Sequence, residues 1–339
     1  MKLHKKYIKR CIQISKNGWV AAAPNPSVGA VIVVDDKIIG EGFTSAYGGK
    51  HAEVNAINAV KDKLILKKAT LYVSLEPCSH FGKTPPCADL IVRYKIPNVV
   101  IGMIDPNEKV AGAGIKKLVE AGIHVTVGVL EQDCFEVNKQ FFTFHQKKRP
   151  YIILKWAESQ DGFIAPDFFK NNAQKRAPIW ITNEFSRQLV HKWRSETQAI
   201  LLGTQTVVDD NPQLSTRSWS GTNPIRIIID QNNRISKDSY IFDNQVETII
   251  LDKNKIDFNE NIVVQISQFL YNKKIQSVLI EGGSKMLQTF IDSGIWDEAR
   301  VFRGGISFET GLLAPKLKAE IIKKTTILED ELLIYKNYD

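Results

Sequence analysis

His51-Ala52-Glu53, followed by Glu76-Pro-Cys-Ser-His-Phe-Gly-Lys-Thr-Pro-Pro-Cys87, is the stretch that decides how this chain is read. It supplies one imidazole, two thiols and a carboxylate. Zinc takes nitrogen and sulfur ligands, and a catalytic zinc site keeps its fourth position for water. His51, Cys78 and Cys87 are therefore the candidate metal ligands, and Glu53 is the candidate catalytic acid–base group. A closed structural zinc site, with His80 as fourth ligand, is the competing reading. Such a site has no use for an unliganded acid beside it, so Glu53 favours the catalytic one.

Outward from this stretch, strand and helix patterns alternate. Val28 to Val34 is a β-branched run, Asp35-Asp36 turns it, and Lys37 to Gly42 returns as a hairpin partner. His51 to Val60 has helical spacing, and Thr70 to Leu75 reads as a buried strand. Pro77-Cys78 is expected to open a second helix that continues after the insertion through Ala88 to Tyr94. A helix start there would lower the thiolate pKa of Cys78. His51 and Glu53 are two apart, which would point them to different sides of a regular helix, so an irregular first turn is expected. Asn98 to Met103, Ile115 to Glu120 and His124 to Val127 continue the alternation as strand, helix and strand. The pattern is that of an α/β sheet with helices on its faces.

A chain of 339 residues accommodates two domains. The boundary is read at Gln146-Lys-Lys-Arg-Pro150, which divides the chain into residues 1–147 and 148–339. Beyond it, Tyr151 to Trp156, Ala199 to Leu202, Ile225 to Asp230, Thr248 to Leu251 and Ser277 to Ile280 read as strands. Thr182 to Lys192 and Ser284 to Ser293 read as helices, and Asn171-Asn172 as part of a polar loop. Residues 1–150 hold 22 Lys and Arg against 13 Asp and Glu, whereas the rest holds 23 against 24. These basic residues are scattered and lack the interleaved aromatics of a nucleic-acid groove, so a solvated surface is expected and no nucleic-acid partner. No apolar run approaches the ~18 residues of a membrane span. The N-terminal segment reads as an amphipathic helix with Tyr7, Ile8, Cys11, Ile12 and Ile14 inward, rather than as an export signal. A cytoplasmic protein with reduced thiols is the expectation, with Cys11 and Cys134 as ordinary core or surface cysteines.

H-x-E followed by P-C-x-x-C is the fingerprint of zinc nucleobase deaminases. Here eight residues, not two, separate the cysteines. With that insertion, Glu76–Cys87 resembles the deaminase half of the bifunctional riboflavin-biosynthesis deaminase/reductase family. Asn25-Pro-Ser-Val-Gly29, His51-Ala-Glu-Val54, Asp105-Pro-Asn107 and Val110-Ala-Gly-Ala-Gly114 carry the resemblance further. In the second half it runs through Lys155-Trp-Ala-Glu-Ser159, Trp180-Ile-Thr182, Gly203-Thr-Gln-Thr206, Asp209-Asp-Asn-Pro212 and Leu279-Ile-Glu-Gly-Gly-Ser284. It covers nearly the whole chain.

The resemblance implies an N-terminal cytidine-deaminase-like α/β/α layered domain and a C-terminal dihydrofolate-reductase-like α/β domain. It implies zinc and NADPH as cofactors, and a pyrimidine ribosyl phosphate as substrate. By position, Asn25, His80 and Lys83 would contact substrate in the first domain. Arg194, Leu214, Arg217 and Glu281 would line the substrate side of the second, the arginines gripping a sugar phosphate. Glu158, Trp180, Thr206, Asp210 and Gly283 would sit near the nicotinamide cofactor. Two departures stand out: Thr44 occupies a position where the family commonly has histidine, and the segment after Trp296-Asp-Glu298 diverges. Strand edges in both domains lead to the expectation of a homo-oligomer. The rival readings are a nucleic-acid base deaminase with an accessory domain, and a zinc-stabilised binding module without turnover.

Overall fold

Asp35 and Asp36 both take positive φ (48° and 58°), reversing the chain between β1 (Gly29–Val34) and β2 (Lys37–Phe43). Short polar residues tolerate this conformation, which matches the twist of a hairpin. The computed structural model describes residues 2–81, 85–105, 111–167 and 179–338. The chain divides into two units, residues 1–147 and 148–339.

In the first unit, β3 (Thr70–Leu75) pairs antiparallel to β1, and β4 (Asn98–Met103) and β5 (His124–Val127) extend the sheet in parallel. The order is β2-β1-β3-β4-β5. β1 is buried on both faces because its alternate residues serve two cores. Val31 and Val33 pack with Tyr7, Ile8, Cys11 and Ile14 of α1 (Lys2–Ser15). Ile12 is partly buried against the same cluster. Ala30, Ile32 and Val34 pack with the helices of the opposite face, beyond the short α2 (Trp19–Ala22). These are α3 (Ala52–Ala59), α4 (Cys87–Arg93) and α5 (Ala113–Glu120). α6 (Glu131–Lys147), kinked at Asn138, closes the unit, and its Cys134 joins the α1 layer. Cys11 and Cys134 are buried free thiols.

One sequence expectation fails here. Pro77-Cys78 does not open a helix: residues 76–79 have no regular structure, and α4 begins only at Cys87. The consecutive Pro85 and Pro86 account for the late start. A proline holds the residue before it out of helical conformation, and Pro86 is itself extended (φ −59°, ψ 135°).

The second unit carries an eight-stranded sheet. β6 (Tyr151–Glu158), β8 (Ala199–Gly203), β9 (Ile225–Ile229), β10 (Thr248–Leu251), β11 (Ser277–Gly282) and β12 (Glu298–Arg303) run parallel. β15 (Asp330–Lys336) and β14 (Glu320–Ile327) add an antiparallel hairpin at one edge. A two-stranded ribbon joins β7 (Phe163–Pro166) to β13 (Gly311–Leu313). α7 (Glu184–Ser195), α8 (Thr204–Asp210), α9 (Ile262–Asn272) and α10 (Ser284–Ser293) complete the unit. Asn183 and Asn261 cap α7 and α9 by accepting from amides in their first turns. Asn171 and Asn172 lie outside the described residues.

Candidate active sites

His51 is the extended residue before α3 (φ −72°, ψ 163°), and Glu53 lies in the first helical turn. The break in regularity therefore falls at His51 alone, and α3 is regular from Ala52 onward. Gly40 and Gly42 on β2 allow α3 to lie close to the sheet, since a Cβ at either would overlap backbone atoms of Ala56.

The two cysteines meet across the insertion. The Cys87 amide donates to Cys78 Sγ (3.3 Å) and the Ala88 amide to the Cys78 carbonyl (3.1 Å). Cys78 thus does face a helix start that favours its thiolate, but the helix is α4, nine residues further on. His51 Nδ1 lies 3.5 Å from Cys78 Sγ and 3.3 Å from Cys87 Sγ. One donor atom from each of the three residues falls within 4.8 Å of the others. Among the described residues this is the one such group of three or more metal-ligating side chains. His80 is exposed and stands outside it, so no closed four-ligand set is present among the described residues.

The electrostatics suit a cation. The Cys87 thiol donates to Cys78 and, against the cost of burial and with help from His51, holds Cys78 down at about 4. That same hydrogen bond, together with burial, pushes Cys87 up. A divalent ion among the three would deprotonate both thiols. His51 is raised, chiefly by its hydrogen bond to Cys78. Glu53 is 4 % exposed, and burial with the nearby Cys78 charge lifts it to about 7. One nitrogen, two sulfurs and a buried acid outside the ligand set are the donor chemistry of a catalytic zinc site.

Of the expected substrate contacts, Asn25 lies in the loop before β1. Its side chain makes no hydrogen bond among the described residues. That loop is fastened by Asn138 at the kink of α6, which accepts from the Ser27 amide (2.8 Å) and donates to the Ser27 carbonyl (3.1 Å). Lys83 lies outside the described residues. Thr44 is buried, and its Oγ1 accepts from the Val28 amide (2.9 Å), tying the end of β2 to the start of β1.

In the second unit the structure gathers Lys155, Arg194 and Glu281 into one cluster that is only slightly exposed. Arg194 donates Nε and Nη2 to the two oxygens of Glu281 (2.8 and 2.7 Å) and Nη1 to the Ser215 carbonyl (3.1 Å). Lys155 Nζ is 3.9 Å from Glu281. Burial alone would raise Glu281, but the charges of Arg194 and Lys155 overcome it and hold the carboxyl at about 2. His191, which carries no sequence signal, joins from α7 and donates Nδ1–H to the Ser215 carbonyl (2.8 Å). Leu214 is buried with φ +55°, and Arg217 is exposed.

The residues expected around a nicotinamide divide. Thr206 sits against Gly283, where a Cβ would come within 3.1 Å of its hydroxyl. Gly283 caps α10, and the Gly282–Gly283 peptide is cis. Asp210 ends α8 and is exposed; partial burial and Asp209 raise its carboxyl. Trp180 is exposed under the Arg187 guanidinium, 4.8 Å from the ring centre. Glu158 is committed to the protein itself, accepting from Trp156 Nε1 (3.0 Å) and from Arg303 (2.9 Å). Sequence reasoning also missed Arg226. It is wholly buried on β9 and bonded to Asp243 (2.7 Å) and to the Gln213 carbonyl (2.7 Å) beside Leu214.

A His/Cys/Cys centre with a buried acid outside the ligand set, on an α/β/α unit, has the donor set of a zinc deaminase, and a second, parallel-sheet unit follows it in the chain. Residues 1–103 match the cytidine and deoxycytidylate deaminase zinc-binding region, and residues 150–306 match the RibD C-terminal domain. The chain is 35% identical to riboflavin biosynthesis protein RibD of Aquifex aeolicus, with 99% of each chain covered. It is 36% identical to that of Bacillus amyloliquefaciens over 92% of this chain and 86% of the relative. A solved structure of a diaminohydroxyphosphoribosylaminopyrimidine deaminase/5-amino-6-(5-phosphoribosylamino)uracil reductase from Thermotoga maritima superposes with a TM-score of 0.89. It is 35% identical, with 99% of both chains covered. The chain belongs to the RibD family of riboflavin-biosynthesis enzymes. The expected cytidine-deaminase-like and dihydrofolate-reductase-like fold classes are borne out, as are zinc and NADPH as the cofactors. No described helix is long and apolar enough to cross a membrane.

Proposed function

We propose that residues 1–147 deaminate 2,5-diamino-6-ribosylamino-4(3H)-pyrimidinone 5′-phosphate at C2. Residues 148–339 then reduce its ribosyl group with NADPH, giving 5-amino-6-ribitylaminouracil 5′-phosphate. The observation that carries this is the convergence of His51, Cys78 and Cys87 donor atoms beside the buried Glu53. These three side chains would hold a zinc ion, which would supply Lewis acidity to the attacking water. Glu53, balanced near neutrality, takes a proton from the attacking water. It delivers it to the ring nitrogen, then passes a second proton, from the hydroxyl now on C2, to the leaving amine, so that C2–NH2 becomes C2=O and ammonia departs. Asn25 in the loop before β1 and His80 in the motif, neither tied up in a described side-chain hydrogen bond, are read with Lys83 as pyrimidine contacts.

In the second unit NADPH supplies a hydride for ribosyl C1′, whose bond to the ring oxygen opens as that oxygen gains a proton. Arg194 and Glu281, fixed to each other, with Lys155, Leu214 and Arg217, form the wall read as the substrate side. Thr206 and Gly283, with Trp180, Asp210 and Glu158, are read as the cofactor side. The enzyme is read as cytoplasmic and homo-oligomeric. The edge strand β14, with Ile321 and Ile322 exposed, supports the second of these. A mass-resolved assay on the diaminopyrimidine ribosyl phosphate tests the proposal. Deamination without NADPH, and the ribityl product once NADPH is added, is the expected result. No ammonia release from folded, zinc-loaded protein would overturn it.

A further inference from the structure

The structure assigns Glu76 as the positioning residue of the metal centre: its buried carboxylate fixes the backbone on which Cys78 is held. This rests on the zinc-deaminase reading above. Glu76 is 6 % exposed and accepts four backbone amides. Oε1 takes those of Gly114 (2.9 Å) and Ile115 (3.2 Å), and Oε2 those of Gly112 (3.0 Å) and Asp105 (3.3 Å). No described cation pairs with it. A buried carboxylate is costly unless its oxygens are satisfied, and here the start of α5 and the end of the β4 loop satisfy both. The Glu76 amide in turn donates to the Met103 carbonyl (2.9 Å), so the residue is held at both its backbone and its side chain.

A second contact closes the same clamp. Gly114, the second residue of α5, lies against the Pro77 carbonyl, and a Cβ there would overlap that oxygen. Glu76 and Pro77 are thus gripped from one side by α5. The next residue, Cys78, receives the first amides of α4 from the other. Residues 76–79 have no helix or strand of their own to set their path. The Glu76 carboxylate and the close approach of Gly114 set it instead, and with it the place of the Cys78 sulfur relative to His51 and Cys87.

Glu76→Gln keeps the shape but presents an NH2 group to two of the four amides. In the full-length protein, zinc affinity measured by competition with a chromophoric chelator is expected to fall by about 10- to 100-fold, the scale on which loss of ligand-orienting groups weakens metal sites. The thiolate-to-metal bands of the cobalt(II)-substituted protein are expected to shift, and reductase activity on the deaminated substrate to stay at the wild-type level. Wild-type chelator competition and an unchanged cobalt spectrum would overturn the assignment. If Glu76→Gln also loses reductase activity and so fails to fold, Gly114→Ala decides. In an unobstructed helix that change is mildly stabilising, so weakened zinc binding supports the clamp and unchanged binding overturns it. Failure of the wild-type protein itself to bind zinc would sink the deaminase reading, and the clamp with it.

Discussion

The two candidate sites are built in opposite ways. In the first unit the backbone does the placing: His51 precedes α3, Cys87 begins α4, and Cys78 is held by the amides of residues 87 and 88. These candidate ligands come from short segments next to helix starts. In the second unit side chains do the placing. Lys155 on β6 and Arg194 on α7 share the one carboxylate of Glu281 on β11. A site of the first kind loses chemistry when one group is removed. A site of the second kind also loses stability, because a buried charge is left without its partner.

The largest effect follows in the first unit. Glu53→Gln removes the proton shuttle but none of the ligands. Deamination is expected to drop by about 10²- to 10⁴-fold, with zinc content by atomic absorption and reductase activity unchanged. Loss of zinc in this variant would mean that Glu53 is itself a ligand. Chelating zinc from the wild type, or replacing Cys87 with Ser, is expected to abolish deamination and spare reduction of the deaminated substrate. Parallel loss of both activities would break the separation of the two sites.

Glu281→Gln tests the other side of the comparison. It leaves Arg194 and Lys155 buried without their anion, an expected loss of about 3–5 kcal/mol in the denaturant unfolding of the second unit. The pH dependence has a definite sign. Glu281 is held at about 2, below its ordinary value of 4.5, so its stabilisation is fully present above roughly pH 4.5 and fades as pH falls toward 2. The stability gap between wild type and variant should therefore be flat near neutrality and narrow in acid. A gap that is absent at neutral pH would show that the cluster does not support the fold.

The same contrast explains what could be read from the sequence. The group of His51, Cys78 and Cys87 with Glu53 beside it was legible because two short motifs carry all four residues. β1, β3, β4, β5 and α3 were legible through their apolar periodicity. Cys78 was misassigned to a helix because the prolines that delay α4 stand seven residues after it, beyond the reach of a local rule. The side-chain cluster of the second unit joins residues 39 to 126 positions apart, and only the resemblance brought two of its three members forward. Glu76, Arg226 and His191 passed unnoticed for a common reason. The partners of each, largely backbone groups, are revealed only by the fold. The hairpin of β14 and β15 escaped because β14, exposed along most of its length, lacks a buried face to impose alternation.

Thr44 gives the smallest and most discriminating effect. It is one of the two departures from the resemblance noted in the sequence. In this chain the side chain is buried, and its hydroxyl is spent on the backbone of Val28, accepting from the amide at 2.9 Å. Thr44→Val keeps the volume and removes that bond. The expected loss is about 1 kcal/mol of stability, with the deaminase KM unchanged. This would make the residue part of the β1–β2 edge and leave recognition of the pyrimidine to other groups. A raised KM at unchanged stability would instead return the position to the substrate side, and would show that even the backbone-built site recruits a side chain from the edge of its sheet.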